Sequence, residues 1–281
     1  MKELLFSIYA FCSFLCIMSA CDTDEGDDMN SIDMTGKIMI AQWNIGHFSG
    51  GMSANSAITA DEYESKKIEY QSFLSSIPAD IISINEYSRT FAFDKSGKEL
   101  FADDLLFGKY PYCYIGGTNN MVCNDIFSKI ELGDSKIINY TCNESAQITH
   151  NPNLHATDYY LIESNVIIND IPTTLVSTHL AFDMNNEAVS RNQIEEIINR
   201  YRDEDNVILC GDWNAFDVSS FDLFKQAGYQ VANHGEFGDF LTWSYSALDN
   251  IVVKGFNIYR VYLRRTPLSD HNMIIAVLTY E

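Results

Sequence analysis

Positive charge is scarce in this chain. Its 281 residues carry 18 Lys and Arg against 39 Asp and Glu, a net charge of −21. That balance speaks against a general nucleic-acid binder, which needs a basic footprint, although a bound divalent cation reverses the field locally. Paired cysteines are also missing. Seven cysteines are present, but none form a CxxC pair, which argues against a zinc knuckle. No segment repeats, and no linker-like stretch interrupts the chain after residue 37. What remains is 46% hydrophobic and 13% aromatic, enough for a sizeable core.

The first residues read as a targeting signal. Lys2 precedes an apolar run from Leu4 to Met18, followed by Ser19, Ala20 and Cys21. The run is short for a membrane span. It is similar to a bacterial lipoprotein signal, with "IMSAC" as the lipobox, Met18 where Leu is usual, and Cys21 as the lipidated residue. A plain secretory signal is the alternative. Residues 22–36 hold six acids and no base, a composition expected to form a disordered tether. Acids directly after the lipidated cysteine resemble surface-export signals of Bacteroidetes lipoproteins. Three segments are therefore expected: a signal over 1–21, a tether over 22–36 and one compact domain over 37–281. Removing the signal takes away Lys2 and Glu3 and leaves −21; removing the six tether acids leaves −15 on the domain. The expected location is outside the cell, on the outer membrane or cell surface. Of the four cysteines beyond the signal, Cys210 lies in an apolar strand and reads as a core residue. A Cys113–Cys123 bridge is open in an exported protein, and Cys142 has no assigned partner.

Hydrophobic periodicity predicts a strand over 37–44, a helix over 61–77 ended by Pro78, and a strand over 80–86. Short strands and turns follow over 110–128. A hairpin flanks Ile171-Pro172. An amphipathic helix covers 185–204. Then come a strand over 206–210, a short helix near 218–227, and strands near 247–254, 257–264 and 272–279. Helices and strands mixed along one chain predict helices packed outside paired sheets.

Chemistry gathers at the strand ends. The first strand ends at Asn44 and the next at Glu86. "LVSTHL" ends at His179, and "VILCGDWN" at Asp212 and Asn214. Asp249 opens "DNIVV", and Asp270 and His271 precede the last strand. Singly, each is a plausible turn or strand-end residue. Convergent, they would make a pocket of oxygen and imidazole ligands.

The ordered set "QWNIG", "DIISINEYS", "STHLAF", "GDWNAF", "LDNIVV" and "LSDHNMI" resembles the endonuclease/exonuclease/phosphatase superfamily, the deoxyribonuclease I-like fold. The resemblance runs from residue 38 to 280, and "SRNQIEEI" extends it. It implies an α/β (α+β) chain folded as a four-layer α/β/β/α sandwich with its active site at one edge. It also implies a divalent-metal-dependent phosphoesterase. Glu86 would be the central metal ligand, with Asn44 and Asp270 contributing, and Mg2+ the ion, with Mn2+ a substitute. Asp212 would activate or orient water, and Asn214 would hold Asp212 or a phosphate oxygen. His271 would contact the phosphate or relay a proton, with Asp249 fixing its tautomer. His179 would donate to developing charge. Either Asp212 or His271 could be the base. The chain departs from the family at Asn250, where His is frequent, and Tyr159 or Tyr160 stands where a basic or aromatic residue often precedes the histidine strand. Among the remaining histidines His47 falls near the site, three residues past Asn44.

The expected substrate is a phosphodiester, either nucleic acid or a phospholipid headgroup as in sphingomyelinases. A small phosphate ester, cleaved by a phosphomonoesterase acting on inositol phosphates, is the alternative; a non-catalytic surface binding module is the other. The expected partners are that substrate and, through the lipid anchor, a membrane. The chain is expected to be a monomer.

Overall fold

Period-two alternation sorts β1 (Lys37–Asn44) onto two faces. Met39, Ala41 and Trp43 pack with Tyr70 and Leu74 of α1 (Ala60–Ser76). Ile38 and Ile40 point the other way, into a second core. β2 (Ile81–Asn85) pairs parallel to β1 and repeats the division, with Ile82 and Ile84 outward and Ile81 inward. The computed structural model describes residues 29–48, 59–87, 90–101, 106, 108–117, 123–141, 158–182, 188–234, 241–244 and 246–280.

Two six-stranded mixed sheets follow from this pattern. The first adds β5 (Tyr112–Ile115), β6 (Asn124–Ser128), β13 (Phe256–Arg264) and β14 (Met273–Tyr280), in the order β13-β14-β1-β2-β6-β5. The second holds β7 (Leu132–Asn139), β8 (Tyr160–Ile168), β9 (Ile171–His179), β10 (Val207–Asp212), β11 (Gln230–Val231) and β12 (Asp249–Lys254), in the order β11-β12-β10-β9-β8-β7. A separate ribbon joins β3 (Thr90–Phe93) to β4 (Glu99–Phe101). Helix α1 covers the outer face of the first sheet. Helices α2 (Ala188–Arg200) and α3 (Asp222–Gln226) cover the second, through Val189, Ile194, Ile197 and Phe224. The result is the expected four-layer sandwich.

Local chemistry sets the element ends. Thr59 accepts from the Glu62 amide, and the Glu62 carboxylate accepts from the Thr59 amide, a capping box that starts α1 one residue before the predicted helix. The β8–β9 hairpin turns on Asn169 and Asp170, with φ of 48° and 68°, as a two-residue mirror-image turn requires. The turn therefore lies ahead of Ile171-Pro172, and Pro172 sits inside β9 opposite Ile167.

Other expectations are corrected. Cys113 and Cys123 are not bridged to one another. In register Cys113 lies opposite Phe127, four residues beyond Cys123, so the strands hold the two thiols apart. Cys142 lies outside the described residues. Cys210 is buried in β10, as expected. Packed structure also begins before residue 37: Met29, an apolar side chain within the acidic stretch, is buried against the cluster that holds Met39. Residues 1–28 lie outside the described residues.

Candidate active site

The inward face of the sandwich changes from apolar to polar along the strands. In β1, Ile38 and Ile40 give way to Gln42 and Asn44; in β2, Ile81 gives way to Ser83 and Asn85. Opposite them, Ser177 of β9 meets Ser83, hydroxyl to hydroxyl at 2.7 Å. Asn85 uses its whole amide. Its Oδ1 accepts from Gln42 Nε2 at 2.7 Å and from the Asp212 amide at 2.8 Å. Its Nδ2 donates to Asn124 Oδ1 at 2.8 Å and the Thr178 carbonyl at 3.0 Å. This buried layer joins the two sheets and sets the floor on which the strand-end groups stand.

Register then aligns those groups. Asp212 pairs with His179 across β9–β10 and with Asp249 across β10–β12. The three form a row facing Asn44 and Glu86 of the first sheet. Gly211 permits the close β9–β10 approach, since a Cβ there would run into the Thr178 carbonyl oxygen. Glu86 and Asn214 both take left-handed backbone, with φ of 57° and 45°. Such strained residues cluster at functional sites.

Asp212 is the centre of the cluster. Its Oδ2 accepts from Asn44 Nδ2 at 2.9 Å, and its Oδ1 from the Asn214 amide at 3.0 Å. His179 Nε2 and His271 Nε2 lie 3.7 and 3.8 Å from the same Oδ2. Behind His271, Nδ1 is hydrogen-bonded to Asp249 Oδ2 at 2.7 Å. Asp249 Oδ1 accepts from Gln42 Nε2 at 3.3 Å. Asn214 Nδ2 donates to the Leu180 carbonyl at 2.9 Å, which fixes the turn after β10. Glu86 Oε1 accepts from Asn44 Nδ2 at 3.2 Å. His47 Nε2 lies 3.4 Å from Glu86 Oε2, and His179 Nδ1 lies 3.9 Å from Oε1.

Protonation follows from the packing. Burial alone would raise the Asp212 carboxyl, but His179, His271, Asn44 and the Asn214 amide together hold it below the ordinary carboxylate range. Burial would lower the His271 ring, yet Asp249, Asp212 and Asp270 carry it up to about 10. Burial raises the Asp249 carboxyl despite the attraction of His271. The proton in this pair belongs to the His271 side, and Asp212 is an ionised acceptor beside it.

These groups floor a hollow of about 320 Å3 whose sides include Tyr159, Phe182, Trp243 and Leu248. Among the described residues no Lys or Arg lines it. Rings continue along its rim: Phe182 packs on Phe216 at 5.7 Å, Phe216 on Trp243 at 6.0 Å, and Trp243 on His271 at 6.3 Å. Tyr159 stands edge-on to His179 at 6.1 Å, so of the two tyrosines expected before the histidine strand it is Tyr159 that reaches the site. A larger hollow, about 740 Å3, lies at the other strand ends near Ile130 and Thr173 and has no imidazole in its lining.

The structure thus brings together Asn44, Glu86, His179, Asp212, Asn214, Asp249 and His271. Asp270 stands outside the described lining of the hollow, though near enough to help raise the His271 ring. That carboxylate is exposed at the rim, where Oδ2 accepts from Trp243 Nε1 at 3.1 Å and Oδ1 from Ser269 Oγ at 3.4 Å. Gln42, Asn85 and Asn124 were not legible as site residues, although a polar residue at the inward parity of an apolar strand is a signal for them. Trp43 is another: its Nε1 donates to the His271 carbonyl at 3.0 Å.

Two mixed sheets flanked by helices, with an acid–imidazole cluster at one rim, define the deoxyribonuclease I-like fold of endonucleases, exonucleases and phosphatases. No family model and no curated protein matches the chain. Solved structures do. A humanized D. rerio TDP2 is 15% identical with a TM-score of 0.64, over 87% of this chain and 99% of that one. The human Nocturnin catalytic domain with bound sulfate anion is 17% identical with a TM-score of 0.61, over 89% and 96%. An endonuclease/exonuclease/phosphatase from Bacteroides vulgatus is 16% identical with a TM-score of 0.60, over 87% and 99%. All three share this fold with the chain.

Proposed function

We propose that the chain is a divalent-metal-dependent phosphodiester hydrolase that works outside the cell on a lipid anchor. The observation that carries the reading is Asp212: an ionised, buried carboxylate fixed by two donors and flanked by two imidazoles at the floor of an open hollow.

A phosphate ester is an anion, and among the described residues no Lys or Arg lines this hollow to receive it. A hard divalent cation among oxygen donors meets that need. Glu86 and Asn44 fit as its holders, since the Glu86 carboxylate faces the hollow and is partly exposed. Asp212, Asp249 and His271 also place ligand atoms within 4.8 Å of one another. That group fits a cation less well, because Asp249 Oδ2 is already taken by His271 and Oδ1 by Gln42. Asp270 would have to leave Trp243 to join Glu86. When bound, Mg2+ or Mn2+ supplies charge that polarises a phosphoryl oxygen.

The chain's own residues account for the proton and charge handling. Asp212 takes a proton from the attacking water and orients it for in-line attack. His271, held protonated by Asp249, donates through Nε2 to a phosphoryl oxygen as negative charge develops there. His179 acts beside it from the opposite wall. Asn214 and Asn44 keep the Asp212 carboxylate in one orientation.

Substrate choice follows from the rim. Aromatic sides, with no basic residue among the described lining, suit a flat or apolar group on the phosphate better than a long polyanion. Among the structural neighbours, a D. rerio TDP2 has been solved with single strand DNA product, and the Nocturnin domain holds a tetrahedral anion; both are compatible with phosphoester chemistry in this fold, which does not itself fix function. The export reading is supported by the "IMSAC" sequence and the acidic stretch after it. Cys21→Ser should release the protein from membranes or leave it unprocessed; a variant that fractionates and migrates like the wild type would point to an ordinary signal peptide.

The test is a substrate panel with Mg2+ and with chelator: plasmid DNA, RNA, sphingomyelin, bis-p-nitrophenyl phosphate and inositol phosphates. Cation-dependent cleavage of a diester supports the reading. Phosphate release from inositol phosphates alone would make it a monoesterase, and no cleavage at all would leave a binding module.

A further inference from the structure

We propose that His47 is a nitrogen ligand of the cation at Glu86, and that it tilts this site toward ions that accept imidazole, Mn2+ and Zn2+, over Mg2+. The inference rests on the hydrolase reading of the same site and concerns which ion that site prefers.

The Glu86 carboxylate lies between two imidazoles. His47 Nε2 is 3.4 Å from Oε2 and His179 Nδ1 is 3.9 Å from Oε1. The second nitrogen is buried in a side chain only 7% exposed, and it has no hydrogen-bond partner. A buried ring nitrogen without a partner is costly. An imine nitrogen and a carboxylate oxygen are both acceptors, so they face each other stably only with a proton or a cation between them.

His47 reaches this position through an unusual turn. Gly46, His47 and Phe48 have φ of 62°, 49° and 60°. Two consecutive non-glycine residues in left-handed backbone are strained and persist only where the surroundings hold them. Here the surroundings do. The Phe48 ring is fully buried, edge-on to Tyr70 and Tyr87 at 5.3 Å each, and Asn44 Oδ1 accepts from the Gly46 amide at 2.9 Å. The turn leaves the His47 side chain about one-third exposed, lining the hollow from the solvent side. Glycine would satisfy this backbone without strain, yet the position carries a side chain suited to metal binding.

The selectivity follows from ligand type. Carboxylate and amide oxygens suit Mg2+ and Mn2+ alike, whereas an added imidazole gains affinity for a transition ion such as Mn2+, and more for Zn2+, than for Mg2+. A Glu86 site with one or two imidazoles within reach is a mixed oxygen–nitrogen set.

The experiment uses the purified full chain, stripped of metal, with Mn2+ and Mg2+ titrated separately by calorimetry and bound Mn2+ examined by pulsed electron paramagnetic resonance for nitrogen coupling. The variants are His47→Gly and His47→Asn, both compatible with left-handed backbone, with folding checked by circular dichroism. Wild type should bind Mn2+ more tightly than Mg2+ and show directly coupled nitrogen. Both variants should lose about tenfold or more in Mn2+ affinity, lose part of the nitrogen coupling, and keep Mg2+ affinity within about twofold. Unchanged Mn2+ affinity and coupling in the variants would overturn the proposal, as would absence of binding by either ion. The two readings fail separately. Cation-dependent hydrolysis with a silent His47 removes this inference and keeps the hydrolase; His47-dependent Mn2+ binding without hydrolysis of any substrate does the reverse.

Discussion

His271 Nδ1 and Asp249 Oδ2 are 2.7 Å apart, in side chains 7% and 0% exposed. The bond turns the other ring nitrogen, Nε2, toward Asp212 and the hollow. It also keeps the ring protonated, so the pair acts as one donor. His271→Ala and Asp249→Asn should each lower kcat by about 10²-fold or more with little change in KM. The double variant should cost scarcely more than either single one. A double-mutant cycle on folded protein decides this, and small additive effects would remove the pair from the reaction.

Asn85 should matter for stability rather than chemistry. It is fully buried and makes four hydrogen bonds that tie β1, β6, β9 and β10 together. Asn85→Leu strands four partners, and an unsatisfied buried group costs about 1–3 kcal/mol. With partial relaxation the expected loss is about 3–5 kcal/mol, read as a lowered midpoint in urea. A midpoint equal to that of the wild type would show that the polar layer is not a clamp.

Asp125 gives the domain a pH dependence outside the site. It is fully buried in β6, with Oδ1 accepting from the Gly116 amide at 2.9 Å and Oδ2 without a partner. Burial pushes its carboxyl from 3.8 up to about 8. The folded state therefore holds a proton that the unfolded chain releases above its own lower value. Stability from this group is fully present below about pH 4 and declines as pH rises, by about 1.4 kcal/mol per unit, levelling off above about pH 8. Asp125→Asn should flatten that slope between pH 5 and 8 in denaturant titrations. An unchanged slope would place the proton elsewhere.

Trp243 tests the rim. Its ring packs on Phe216 and lies 6.3 Å from His271. Trp243→Ala should raise KM for bis-p-nitrophenyl phosphate about three- to tenfold while kcat falls less, since a ring–ring contact is worth about 0.5–1.5 kcal/mol. A loss confined to kcat would mean that Trp243 acts by holding Asp270 or His271 instead.

Much of this was legible because the informative residues sit where apolar strands end. β1 ended at Asn44 as its pattern required, and β10 carried Asp212 at its last position. Register then did what sequence order cannot show: it set Asp249, Asp212 and His179 side by side. The clamp of Gln42, Asn85 and Asn124 stayed hidden because Gln42 lies inside β1, Asn85 closes β2 and Asn124 opens β6, and only their pairing across the sheets shows that they meet. β7 was missed for the opposite reason. It is an edge strand with a mostly exposed face, so it lacks the apolar alternation that marks a strand. Asp270 is expected from its motif to contribute to the cation at Glu86; it falls in the bend before β14, where its carboxylate accepts from Trp243 at the rim.

The most direct test of the account is the kcat of wild type and Asp212→Asn on the best diester of the panel, with Mg2+ or Mn2+ and again in chelator. The account predicts cleavage by the wild type that chelator abolishes, and a fall in kcat of about 10²–10⁴-fold in the variant with its circular dichroism spectrum unchanged. Wild-type cleavage that survives chelation, or a folded Asp212→Asn variant that turns over at the wild-type rate, would contradict it.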